Sequence, residues 1–259
     1  GDVREWAETG RKVKIHQTIK ARELWDLITY CATYSAEPGI FFIDNANEMT
    51  NAQAYGQKVV ATNPCGEQPL TPYAVCNLAA INLANMVDKE TKVVDFEKLA
   101  DVVRASVRFQ DNVIDATPYF FEKNEQQAKG ERRVGLGVMG LADLLIYCEK
   151  VYGSEDGNRL VDQVFEKIAV TAYQTSVELA KEKGSFPFLV GKTVEETTAL
   201  RQRFIESGYM KKMPESIRQA ILKYGIRNSH LLTVAPTGST GTMAGVSTGL
   251  EPYLSLIHI

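Results

Sequence analysis

The chain has 259 residues, 44% of them hydrophobic and 24% charged, which is ordinary globular make-up with room for a sizeable core. A formal net charge of −3 gives no electrostatic reason to expect nucleic acid or an anionic membrane as partner. Four cysteines without a CxxC pair argue against structural zinc and a dense disulfide framework, and no apolar run approaches bilayer length. With no signal-peptide pattern at the start, a reducing, cytoplasmic setting is expected.

Leu24, Trp25, Ile28, Cys31 and Ala32 follow helical spacing and stop at Pro38-Gly39. That stripe makes Cys31 a core residue. Ile40 to Ile43, ended by Asp44-Asn45, predicts a short buried strand. After a cysteine-bearing loop, Asp95 can cap a helix carrying Leu99, Val103, Val107, Val113 and Ile114, closed by Thr117-Pro118. A long helix over 156–183 carries Leu160, Val161, Val164, Phe165, Ile168, Ala172 and Leu179, and Gly184 stops it. Pro214 opens another that ends at Gly225. His230 to Ala235 predicts a strand running into Pro-Thr-Gly-Ser-Thr-Gly at 236–241. Strands and helices alternate, so the class is α/β.

The densest chemistry lies in Thr62–Asn82, TNPCGEQPLTPYAVCNLAAIN. Asn63, Cys65 and Glu67 sit at alternate positions around Pro64 and Gly66, and Cys76 follows. In an extended stretch, side chains two apart share a face, so an amide, a thiol and a carboxylate could meet one small molecule. Pro64 and Gly66 favour a stiff, close-approaching loop over a helix. Taken alone, the two cysteines also fit unrelated buried thiols, or half of a metal site. The string GLGVMG at 135–140 matches GxGxxG, but Glu131-Arg132-Arg133 precede it and Leu160 stands where a dinucleotide site needs an acid. Cys148, on the helix after it, reads as structural. At 236–242, small residues and the hydroxyls of Thr237, Ser239 and Thr240 suit either a phosphate or a plain capped turn. No lysine is there, so it is not a Walker loop.

The Asn-Pro-Cys-Gly-Glu-Gln wording resembles the finger loop of ribonucleotide reductase large subunits, most of all their adenosylcobalamin-dependent (class II) branch. The resemblance runs from Pro-Gly-Ile-Phe-Phe-Ile-Asp at 38–44 to Gly-Leu-Glu-Pro at 249–252. It implies part of a ten-stranded α/β barrel over residues 1–254, with 255–259 out of keeping and further chain expected on both sides. In it, Arg132-Arg133 and the glycine string resemble a barrel strand packed on the next helix. It implies that Cys65 is the thiyl site, that Glu67 takes the 3′-OH proton as a carboxylate, and that Asn63 orients the ribose. Cys76 resembles one member of the reducing pair, with its partner expected outside the chain. Thr237, Gly238, Ser239 and Thr240 would hold the substrate's phosphates. Implied partners are a ribonucleotide, adenosylcobalamin, a thioredoxin-like dithiol and a second copy in a homodimer; no resident metal is implied. The alternatives are a class I large subunit fed by a radical-generating partner subunit, and a non-catalytic nucleotide-binding scaffold.

Overall fold

The computed structural model describes residues 3–253, which fall into two compact units divided between Phe42 and Ile43. The first holds helices α1 (Val3–Glu8) and α2 (Ala21–Ser35). The periodic residues of α2 do form a helix, but none of them is buried and Cys31 is half-exposed. A unit of two helices has no second layer to cover the stripe, so Cys31 is not the core residue its spacing suggests. Ile40, Phe41 and Phe42 are exposed, and Ile43 starts helix α3 (Ile43–Met49) instead of ending a strand. No strand pairs with this run among the described residues, and local helical bonds satisfy the backbone that follows.

The second unit carries strands β1 (Ala61–Thr62), β2 (Pro69–Leu70), β3 (Leu78–Asn82), β4 (Val87–Asp88) and β5 (Val93–Val94), then helices α4 (Phe96–Ala116) and α5 (Glu122–Glu131). Strand β6 (Gly135–Met139) leads into α6 (Leu141–Tyr147) and α7 (Glu155–Lys183), followed by α8 (Val194–Ile205), α9 (Glu215–Tyr224) and the short α10 (Gly238–Ala244). Asp95 caps α4 by accepting from Lys98 N, and Gly184 ends α7, as their sequences predict. The core forms where α4 packs on α7: Leu99, Val103 and Val107 bury against Val164, Ile168 and Ala172. Cys148 is buried there too, as its position suggests. Burying one such aliphatic side chain contributes about 1.5–3 kcal/mol.

Strands β3 and β6 run parallel in register from Leu78↔Gly135 to Asn82↔Met139, and every residue of β6 is buried. Parallel pairing with a helix following each strand is the α/β arrangement. The glycine string is thus this strand, with Gly140 (φ +75) starting α6, and not a phosphate loop. The segment 230–235 lies along β6 but makes only one regular bridge, Leu136↔Leu232. Val134 N donates to His230 O, whereas Leu136 N donates to Leu231 O, so the chain entering β6 advances two residues against one. That slip of register interrupts the predicted strand. The described strands form three two-stranded sheets.

Below β6, Asp111 of α4 is fully buried. It accepts from Arg132 Nε (2.9 Å), Asn228 Nδ2 (3.1 Å) and Arg227 Nε (3.3 Å). Arg132 also grips Asp115 with both terminal nitrogens, at 2.7 and 2.9 Å. Those bonds hold the Asp115 carboxyl below its ordinary range.

Candidate active site

The loop between β1 and β2 is built by local chemistry. Gly66 N donates to Asn63 O at 3.0 Å, closing a four-residue turn with Pro64 second and Gly66 (φ +82) last. Asn63 Oδ1 accepts from Gln68 N at 2.9 Å and Asn63 N donates to Gln68 O at 3.3 Å, which ties the neck. The stretch is therefore a tight turn and not extended, so the three groups do not share a face by alternation. Cys65 is exposed at the tip, Asn63 is bonded into the neck, and Glu67 turns inward.

The return limb is clamped from several sides. Thr233 Oγ1 donates to Glu67 O at 2.9 Å. A Cβ at Gly135 would lie 2.1 Å from Gln68 Nε2, so the limb rests on bare β6 backbone. Arg133 Nη1 donates to Pro69 O at 3.1 Å, while its Nε and Nη2 pair with the fully buried Glu131 at 3.1 and 3.3 Å. Tyr55 Oη and Thr71 Oγ1 also reach Glu131, at 3.2 and 3.5 Å. Burial first, and then the charge of Glu131, push the Tyr55 hydroxyl far up, so it stays a donor.

Two cavities flank this limb. A chamber of about 190 Å³ is lined by Glu67, Gln68, Arg133, His230, Tyr173 and Tyr209, among others. Glu67 Oε2 is buried with no hydrogen-bond partner, and so is Gln68 Oε1. A cleft of about 260 Å³ holds Cys76, with Asn77, Tyr119 and Arg133 in its walls. Burial pushes the Cys76 thiol up, the charges of Glu67 and Cys65 add to that, and Arg133 opposes it. The two cysteines and Glu67 thus share one electrostatic neighbourhood.

Thr237 (φ +51) precedes α10, and its hydroxyl accepts from Gly249 N at 2.7 Å. Gly238, Ser239 and Thr240 are exposed at the start of α10, a few residues after the Thr233 that clamps Glu67. Sequence reasoning passed over Arg133, Glu131 and Thr233. The pair Arg132-Arg133 ahead of an apolar strand was the available signal, since neighbours there face opposite ways.

The clamped loop thus carries Cys65 and Glu67 beside a parallel strand pair, with the Cys76 thiol in the adjoining cleft. The family is shown by sequence: the family described as ribonucleotide reductase, barrel domain, matches residues 3–259. The chain is 36% identical over 249 residues to the vitamin B12-dependent ribonucleoside-diphosphate reductase of Thermoplasma acidophilum, covering 96% of this chain and 29% of that protein. The protein of the same name from Mycobacterium tuberculosis (strain CDC 1551 / Oshkosh) is 36% identical over 246 residues, 95% of this chain and 31% of the relative. The ribonucleoside-diphosphate reductase large chain of Cryptosporidium parvum is 32% identical, over 98% of this chain and 32% of its own length. This chain belongs to the ribonucleotide reductase barrel-domain family. It spans about a third of the length of these curated relatives.

Proposed function

We propose that the chain is the catalytic barrel segment of an enzyme that reduces ribonucleotides to 2′-deoxyribonucleotides, supplying DNA precursors. The observation that carries this is Glu67 Oε2, a buried carboxylate oxygen with no protein partner, in the neighbourhood of both Cys65 and Cys76. An orphaned oxygen of that kind is costly unless a ligand hydroxyl meets it. In this reading the Cys65 sulfur, as a thiyl, takes the ribose 3′-hydrogen, and Glu67 accepts the 3′-OH proton. The 2′-hydroxyl leaves as water and a hydrogen takes its place on C2′; Cys76 and a second thiol supply the two protons and two electrons this needs and end as a disulfide, and Glu67 gives its proton back to the 3′ oxygen. Cys65 then returns its hydrogen to the sugar. Asn63 stiffens the neck through Oδ1 and turns its amide NH₂ to the ribose. Gly238, Ser239 and Thr240 take the phosphates through exposed hydroxyls and N–H groups, with Thr237 holding the turn in shape. The β3–β6 pair is two strands of the ten-stranded barrel.

The proposed radical source is adenosylcobalamin, after the names of the two 36%-identical relatives. The loop's cavities, about 190 and 260 Å³, fall below the roughly 300–1,000 Å³ of drug-sized sites, so neither fits a corrin, and no step here runs through it. The large chain from Cryptosporidium parvum favours a second reading, with the radical delivered by a partner subunit. Turnover that needs only added adenosylcobalamin and a thioredoxin-like dithiol decides for the first.

Cys65→Ser is expected to abolish deoxynucleotide formation by the intact enzyme and leave nucleotide affinity within a few-fold, because an O–H bond is too strong to yield the radical. Residual turnover near wild type would sink the assignment. Cys76→Ser is expected to keep hydrogen abstraction, read as exchange of the 3′-hydrogen, and to lose repeated turnover. Nucleotide binding by the wild type with no turnover under either radical source would leave a binding scaffold.

A further inference from the structure

Arg133 is the one charged residue in the walls of both cavities, facing Glu67 on one side and Cys76 on the other. Its buried partner Glu131 lines neither; it sits behind, where Tyr55 and Thr71 reach it. Each guanidinium nitrogen makes one bond: two to Glu131 and one to the Pro69 carbonyl, two residues after Glu67. A fork so engaged is planar, permanently charged and fixed in direction. We propose that Arg133 is a positioning residue for the reaction, holding the return limb of the Cys65 loop through Pro69 and presenting one positive charge to both the Glu67 chamber and the Cys76 cleft.

This deepens the reading given under Proposed function and rests on its assignment of Cys76 as reductant. A reducing thiol gathers negative charge on sulfur as it couples to its partner, and burial opposes that charge. The charged and titratable groups that face Cys76 are Glu67, Cys65 and Arg133, with Tyr119 in the same cleft. Of the groups that shift its thiol, burial, Glu67 and Cys65 all disfavour the thiolate, and Arg133 alone favours it. Burial first, and then Arg133, push the neighbouring His230 imidazole well below its ordinary value, so that ring adds no second positive charge near neutral pH. The limb that aims the base and the charge that readies the reductant are therefore one side chain.

The test is made on this chain without turnover, in a Cys65→Ser background, by peptide-resolved iodoacetamide labelling of Cys76 from about pH 6 to about pH 10. Cys148, buried in the core, reports on folding in the same sample. Glu131→Gln with Arg133→Met removes both charges and leaves no buried ion unpaired. It should slow Cys76 labelling at about pH 8 by at least about threefold and move its profile to higher pH. Arg133→Lys keeps the charge and should hold the profile close to wild type. A profile unchanged in the neutral pair, with Cys148 still protected, overturns the proposal. If Cys148 shows that pair to be unfolded, Glu131→Gln with Arg133→Gln replaces it. Unfolding of both neutral pairs would overturn the proposal in favour of a purely structural ion pair. Because no deoxynucleotide is measured, this result is separate from the fate of Cys65→Ser in turnover.

Discussion

Arg132 and Arg133 stand side by side just ahead of β6 and turn to different partners, each pairing with one fully buried carboxylate, Asp111 or Glu131. Arg132 binds Asp111 and Asp115 on α4, where Arg227 and Asn228 complete a cluster that joins α4 to the chain after α9. Arg133 binds Glu131 and the Pro69 carbonyl, beside the Cys65 loop. Both guanidiniums are almost fully buried. The first is surrounded by partners on all sides, whereas the second borders two cavities. Burial and pairing alone therefore do not separate scaffold from site; what separates them is whether empty space lies on the other side.

The largest effect is expected at Arg132. Arg132→Met leaves Asp111 with a missing buried partner and should destabilise the fold by about 3 kcal/mol, read from the urea midpoint. It should leave the pH profile of Cys76 labelling in place, and a shift there would merge the two clusters. A smaller effect is expected from acid. Burial and Arg133 push the His230 imidazole well below its ordinary value, so the folded form binds fewer protons than the unfolded one. Stability should then fall as pH drops below about 6.5, by up to about 1.4 kcal/mol per pH unit, until the folded ring itself titrates. Asp115 works in a separate window: its carboxyl is depressed, so its contribution is present above about pH 4 and lost below. Urea titrations across pH should show the upper limb vanish in His230→Gln and persist in Asp115→Asn; the reverse would misplace both groups. The smallest effect belongs to Thr233→Val, which removes the bond to Glu67 O and should cost about 1 kcal/mol. A loss several times larger would mean that the limb hangs from this one tether.

Features set by neighbours in sequence were legible before the fold. The Asp95 cap, the stripe of α7 and the stop at Gly184 all act within a turn or two of the chain. So did the turn at Pro64–Gly66, although its alternating residues wrongly suggested one shared face. The strand expected at 40–43 failed because a strand needs a neighbour that local pattern cannot supply. The strand expected at 230–235 failed through a slip of one residue against β6, which no sequence period records. Cys65, Glu67 and Cys76 stood out by wording, but the clamp on Glu67 comes from Thr233, 166 residues away. The partners of Glu131 were not legible, since nothing nearby in sequence announces Tyr55 and Thr71.

The exposed tip has a practical consequence for anyone who purifies this protein. Cys65 stands in the open at the turn, while Cys148 is sealed in the core. Dissolved oxygen and trace peroxide will therefore reach the sulfur proposed as the thiyl site long before that of Cys148. Its early sulfenic product can be recovered with a thiol, but the sulfinic and sulfonic forms cannot. An unchanged melting curve is therefore no measure of that sulfur, and a free-thiol count at Cys65 is the check that stored material needs.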